Sequence, residues 1–287
     1  MSSSQTMVTG VGGPAGRAVS TYFLNSGIAV LGTDIRPISD SPHFRIVPDA
    51  NSSEFTLALD DLLNEADVHL LVPTVTEELP KIALHRDAIR KKRCCVFLSR
   101  MEAIEIANDK WQTASSLMEQ GIPVPRTYCG DSRTELLDTL RFPIISKPRF
   151  GRGGRGVVIH PRLDDVPALI RADRVYQEFL PGDEFDVNVF ADAEGLSLVS
   201  VVLKKTALKQ GLVGNALSVK RTSEPRVAEL AESAVRALGL EGPIDIDIRH
   251  STNGEPFILE INARVGANVC SAEEVLIAMI DSWRAQA

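Results

Sequence analysis

Between Ile144 and Ile159 the chain reads Ile-Ile-Ser146-Lys147-Pro-Arg149-Phe-Gly151-Arg152-Gly153-Gly154-Arg155-Gly156-Val-Val-Ile, with four cations and four glycines in the ten residues from Lys147 to Gly156 and no acid among them. Glycines let backbone amides approach an anion and let a loop move, while lysine and arginine supply charge. Two strand-like runs flank the segment, so it reads as a hairpin lid over a polyphosphate. A solvated basic turn has little use for so many glycines. The phosphate loop G-x-x-x-x-G-K-[ST] is absent, so the lid is of another kind.

A second constellation follows, Asp245-Ile-Asp247-Ile-Arg249 and Phe257-Ile-Leu259-Glu260-Ile-Asn262-Ala-Arg264, on either side of Asn253-Gly254. Asn-Gly is the preferred pair for a two-residue hairpin turn. That turn sets Asp247 opposite Glu260 and Asp245 opposite Asn262, all four on one face because strand side chains alternate. Ile246, Ile248, Leu259 and Ile261 are expected to pack the other face. Carboxylate against carboxylate requires a cation between them, and hard oxygen donors of this kind suit Mg²⁺.

Two further features carry weaker signals. Lys110 follows Asn108-Asp109, an expected helix N-cap, where a cation opposes the helix dipole and implies a nearby anion. The run Val175 to Val187, with Pro181-Gly182 at its middle, reads as a strand, a turn and a second strand. Its extended backbone is suited to an adenine edge and its carboxylates to ribose hydroxyls.

These groups need elements to hold them. Residues 7–100 alternate apolar runs (Met7–Thr9, Ile28–Asp34, Val68–Val72, Cys95–Leu98) with helix-like segments such as Glu54–Asn64 and Leu79–Lys92. Alternation of this kind predicts a Rossmann-like parallel α/β domain over 1–100. Residues 101–287 change to an α+β pattern: a helix over about 108–119, a glycine-rich lid portion at about 123–180, and a metal and substrate portion at about 181–287 ending in a helix over 271–284.

The bulk composition excludes other classes. The 287 residues carry a net charge of −7, against general affinity for nucleic acid or acidic membranes. No apolar run of about eighteen residues and no signal peptide are visible, so a cytoplasmic location is expected. Cys94, Cys95, Cys129 and Cys270 make no metal or disulfide spacing, and His43, His69, His85, His160 and His250 make no ligand spacing. Trp111 and Trp283 read as core.

Taken together the pieces resemble the ATP-grasp superfamily, most of all the branch related to the carbamoyl-phosphate synthetase large subunit. The resemblance rests on Thr9-Gly-Val-Gly12-Gly13-Pro-Ala-Gly16, Val72-Pro-Thr74-Val-Thr-Glu77-Glu78-Leu79, Asn108-Asp-Lys110, Ser146-Lys147-Pro-Arg149 with the glycine loop, Gln177-Glu178-Phe-Leu-Pro-Gly-Asp-Glu184, and Glu260-Ile-Asn262-Ala-Arg264. It implies a carboxylate-amine ligase that takes ATP and Mg²⁺, or Mn²⁺ in its place. By that resemblance Lys110, Lys147 and the loop of Gly151, Gly153, Gly154 and Gly156 would meet the phosphates. Glu178, Phe179 and Leu180 would hold adenine, and Glu184 the ribose. Asp247, Glu260 and Asn262 would bind the metal. Arg264 would face the acyl-phosphate, and Lys204, with Lys205 and Lys209, would supply cations on the substrate side. Ala263 stands where the family often has proline. No glutaminase-like stretch is present, so the partners expected are a small carboxylic acid and a free amine or ammonia, with a homodimer partner to close the pocket.

Three other readings compete. One is an enzyme that phosphorylates bicarbonate or carbamate. Another is a non-catalytic nucleotide sensor. The third is a dinucleotide site in which Gly10 to Gly16 cradles pyrophosphate and Asp34 holds ribose, which leaves the lid and the acidic hairpin unexplained.

Overall fold

The computed structural model describes residues 5–38, 43–192 and 198–286. The first region forms the expected parallel sheet, β1 (Gln5–Thr9), β2 (Ala29–Asp34), β3 (Phe44–Ile46), β4 (Val68–Val72) and β5 (Cys95–Val96), in the order β3-β2-β1-β4-β5. Helices Pro14–Asn25 and Phe55–Glu65 connect its strands; the expected helix over 79–92 is two shorter ones, Leu79–Leu84 and Arg86–Lys91, broken at His85. Strand order reverses between β1 and β4. The carboxyl ends there, Thr9-Gly10 and Pro73-Thr74, open the crevice where such sheets take ligands.

A four-stranded antiparallel sheet follows, β6 (Thr127–Tyr128), β7 (Ile144–Pro148), β8 (Val158–His160) and β9 (Arg174–Glu178), ordered β6-β9-β7-β8. Tyr128, Leu136, Ile144 and Tyr176 give it a small core of its own. The third sheet, also antiparallel, is β10 (Glu184–Ala191), β11 (Leu198–Leu208), β12 (Ala216–Arg221), β13 (Gly242–His250) and β14 (Pro256–Asn262), ordered β12-β11-β10-β13-β14. Met7, Leu31 and Leu71 from the first sheet share one buried cluster with Phe185, Ile246 and Ile261 from the third. The two sheets therefore share one core, to which the helices between them, with Leu79, Ile82 and Ile104, also contribute.

The structure corrects four local expectations. The strands on either side of Pro181-Gly182 are no hairpin: β9 belongs to the second sheet and β10 to the third, so the turn carries the chain between them. A helix over Met101–Asn108 precedes the expected one, which runs Lys110–Glu119 and is capped by Asp109 through its Oδ1 to the amides of Trp111 and Gln112. Trp111 is half-buried, while Trp283 is buried as expected.

The fourth concerns the acidic hairpin. Asp247 does face Glu260 and Asp245 does face Asn262, but near the turn the pairs are Ile248 with Ile258 and His250 with Pro256, one residue out of step. The turn is longer than two residues, and a bulge at Leu259 restores the register. The bulge moves Ile258 into the core in place of Leu259, which is half-buried, and Lys147 Nζ donates to the Leu259 carbonyl at 2.8 Å.

Candidate functional site

Polar and apolar residues alternate along β10, β13 and β14 so that one face carries Glu184, Asp186, Asn188, Asp245, Asp247, Glu260 and Asn262, with Arg249 opposite Glu184. Phe185, Val187, Ile246, Ile248 and Ile261 are buried behind this face. On the polar face Asp186 stands opposite Asp247 and Asn188 opposite Asp245, continuing the row to Glu260 and Asn262. Ammonium groups interleave the carboxylates. Lys205 Nζ reaches Glu184 Oε1 at 2.7 Å and Asp247 Oδ1 at 2.6 Å, and Lys110 Nζ lies 3.5 Å from Glu260 Oε2 while donating to the Gly151 carbonyl at 2.6 Å.

Burial and counter-charge set the protonation of this row. Burial opposes the Glu260 carboxylate, yet Lys110, Lys147 and Lys205 outweigh it and hold its pKa below the ordinary value. Asp247 goes the other way: burial, against Lys205 and with Asp245, Glu260 and Glu184 adding to it, pushes its pKa up to about 7. Burial and Asp186 raise Asp245 well above the usual range, against Arg264. Burial lowers Lys147 to about 8, although Glu260 favours its charged form. Burial thus favours the protonated form of the aspartates in the row, while the lysines keep Glu260 ionised.

A cavity of about 760 Å³ opens beside this face. Asp247, Glu260, Asn262 and Arg264 line one side, the lid residues Arg152, Gly153 and Arg155 another, and the loops after β1 and β4 a third. The lid lies close: Arg152 pairs with Glu77 at 2.5 Å, and a Cβ on Gly154, whose φ is +65°, would stand 2.6 Å from the Gly214 backbone. Only glycine fits there. Arg264 Nε donates to Thr76 Oγ1 at 3.1 Å, and its Nη1 lies 3.5 Å from Asp245 Oδ2.

The expected site residues do not all meet this cavity. Lys204 is half-exposed and pairs with Asp183 at 2.7 Å, because neighbours on a strand point to opposite faces; Lys205 and Lys209 line the cavity instead. Lys110 and Lys147 are buried beside Glu260 and the Leu259 carbonyl and do not line this cavity. Glu178, Phe179 and Leu180 lie at the crossing between the two antiparallel sheets and do not line it. Glu178 is exposed, the Phe179 ring lies under the Arg249 guanidinium at 5.3 Å, and the Glu178 and Phe179 amides already donate to the carbonyls of Arg126 and Pro143. Glu184 is held by Lys205 and, at 3.2 Å, by Arg249.

Sequence reasoning passed over Asp186, Asn188, Asn268 and Glu78. Asn268 Nδ2 donates to Asp186 Oδ2 at 2.5 Å, and Asn188 Nδ2 to Asp186 Oδ1 at 2.7 Å. The alternation Glu184-Phe-Asp186-Val-Asn188 was a readable signal for the first two. Asn268 and Glu78 sit on loops, where no period applies.

Among the described residues no three His, Cys, Asp or Glu side chains converge as a metal site. The set here is two facing carboxylates and an amide, Asp247, Glu260 and Asn262, which matches a Mg²⁺ ion that completes its shell with water and phosphate oxygens. Asn188 Oδ1, buried without a hydrogen-bond partner, fits such a cation.

Comparison with known proteins follows the same lines. A D-alanine–D-alanine ligase of Desulforudis audaxviator is 30% identical over 186 residues, 57% of this chain and 60% of the ligase. The carbamoyl phosphate synthase large chain of Pseudothermotoga lettingae is 22% identical over 63% of this chain and 18% of its own length. The chain thus spans about three-fifths or less of the curated relatives it matches. The biotin carboxylase of Campylobacter jejuni, solved as a β-γ-ATP complex, superposes with a TM-score of 0.74 at 17% identity, over 97% of this chain and 70% of that one. Residues 107–268 match the model of the ATP-grasp domain, and since that stretch is more than half of the sequence and holds the lid, the acidic row and Arg264, this chain belongs to the ATP-grasp family.

Proposed function

We propose that the protein is an ATP- and Mg²⁺-dependent ligase that activates a small carboxylate as an acyl-phosphate and couples it to an amine, releasing ADP and phosphate. The observation that carries this is the convergence on one cavity of a facing carboxylate pair, Asp247 and Glu260, a glycine-rich cationic lid, and Arg264. In this reading Lys110 and Lys147 neutralise phosphate oxygens, and Arg155 and Arg152 close over them. Asp247, Glu260 and Asn262 hold Mg²⁺, which shields the phosphates and stabilises charge during phosphoryl transfer. Arg264, fixed by Thr76, stabilises the oxyanion of the acyl-phosphate. Leu180 reads adenine through its backbone, and Glu184 exchanges a lysine contact for ribose.

The placement of Lys205 supports it over Lys204 as the substrate-side cation. The similarity to ligases that join an amino acid to an amine, among them the D-alanine–D-alanine ligase, favours an acid and an amine as substrates. A second reading, phosphorylation of bicarbonate or carbamate, has support from the synthase similarity and the carboxylase-like fold.

ADP release with ATP and Mg²⁺ against a panel of amino acids, amines and bicarbonate tests both. Release that needs an acid and an amine together, and is lost in Glu260→Ala, establishes the ligase. Release that depends on bicarbonate alone installs the second reading.

A further inference from the structure

The cavity has a second wall that phosphate and metal chemistry leaves unused. It is built from loops of the first sheet and carries Asp34, Asp49, Glu77 and Glu78. Three of these are already engaged. Asp34 Oδ2 accepts from the Gly12 amide at 2.9 Å, Asp49 Oδ1 from the Asn51 amide at 2.8 Å, and Glu77 is paired with Arg152.

Glu78 differs from all of them. It is 3% exposed, and its Oε2 is buried with no hydrogen-bond partner. Its remaining contact is the Thr9 hydroxyl, which accepts from the Thr74 amide at 3.1 Å and so has its hydrogen free to donate to Glu78. Leaving a buried carboxylate oxygen unpaired costs free energy unless a ligand completes it. Glu78 also belongs to the segment whose Thr76 holds Arg264, so this wall abuts the end of the cavity where Arg264 stands. On this wall Glu78 is thus the carboxylate left without a partner at one oxygen, while on the opposite wall Lys205 and Arg264 stand among the acidic side chains they pair with.

We infer that this wall binds the protonated amino group of the substrate, with the Glu78 carboxylate forming the ion pair at Oε2. The substrate class is then a cationic amine, a diamine or an amino acid with a basic side chain, whose charged nitrogen anchors at Glu78 and whose reacting end points toward Arg264. Asp34 and Asp49 add long-range attraction for the same charge. The inference rests on the cavity being the substrate pocket of the ligase reading, and binding without turnover separates the two.

Isothermal titration of the full chain with 1,4-diaminobutane and with L-lysine tests it, using succinate as the anionic comparison and MgADP as the control for the nucleotide end. The expected result is that at least one of the two amines binds, and that Glu78→Gln, which keeps shape and the Thr9 contact, weakens it by tenfold or more. Glu78→Asp should restore part of the affinity, and MgADP binding should be equal in all three proteins. If neither amine binds the native chain, or if Glu78→Gln binds it as well as native, the inference is overturned. Loss of MgADP binding in the native chain would instead count against the ligase reading and leave the amine result to be judged on its own.

Discussion

Two glutamates on the cavity wall, Glu260 and Glu78, stand in opposite electrostatic surroundings. Glu260, on β14, sits among Lys110, Lys147 and Lys205 and is held ionised against its burial. Glu78, at the carboxyl end of the loop after β4, is the more deeply buried of the two and has no cation in contact; burial, with Asp34 and Glu77 adding to it and the Thr9 hydroxyl and Arg152 opposing, pushes its pKa up to about 7. Burial acts on both in the same direction, so the counter-charges decide the outcome. The first carboxylate has its counter-charges within the protein, and the second has none.

Removing the lysine-matched glutamate should have the largest effect. Glu260→Ala deletes a metal donor and leaves two buried ammonium groups unmatched, so ADP formation should fall by about a hundred- to a thousandfold. Thermal melting should fall with it, because breaking a buried ion pair typically costs about 3–5 kcal/mol. A variant that keeps full turnover would remove Glu260 from the chemistry.

The comparison sharpens with two adjacent lysines. Lys205→Met removes the cation between Glu184 and Asp247 and should cost about 3–5 kcal/mol in urea unfolding. Lys204→Met removes only an exposed pair with Asp183 and should cost about 0–1 kcal/mol. Equal costs would mean that the strand does not present Lys205 inward.

Glu78 makes a pH-dependent prediction. Its folded pKa of about 7 exceeds the ordinary 4.5, so the fold binds the proton more tightly than the unfolded chain. The stability this contributes is fully present below pH 4.5 and is lost as pH rises through 7, on the order of 3 kcal/mol. Glu78→Gln should remove that slope, and unfolding curves at several pH values read it. The last prediction concerns the lid. Gly154→Ala meets the Gly214 backbone at positive φ, costs about 1–2 kcal/mol, and should raise KM for ATP several-fold while lowering the melting temperature by a few degrees.

Much of the architecture was legible because it is periodic. Alternating runs foretold the parallel first sheet, and the alternation of Asp245, Asp247, Glu260 and Asn262 put four oxygen donors on one face before any coordinates. The register at the site came out as read, although the turn did not: a longer loop and the bulge at Leu259 offset one another. A two-residue period says which side a residue takes, and says nothing of where a strand slips. Lys204 and Lys205 show the same limit, since two neighbouring lysines read alike until the pairing of β10 with β11 assigns their sides.

What the sequence by itself determined was the set of reactive groups and the local elements that carry them: the glycine-rich cationic loop, the acidic hairpin, the helix cap at Asp109 and the alternating first region. These follow from side-chain chemistry and short-range backbone preference. Only the tertiary structure decided that Lys147 ends on the Leu259 carbonyl, that Lys110 meets Glu260, and that Pro181-Gly182 joins two sheets. It alone brought the Thr74–Glu78 loop against Arg264 and left Glu78 buried without a counter-charge. Such contacts join residues far apart in the chain, and their energies depend on distance and burial, which no local pattern encodes.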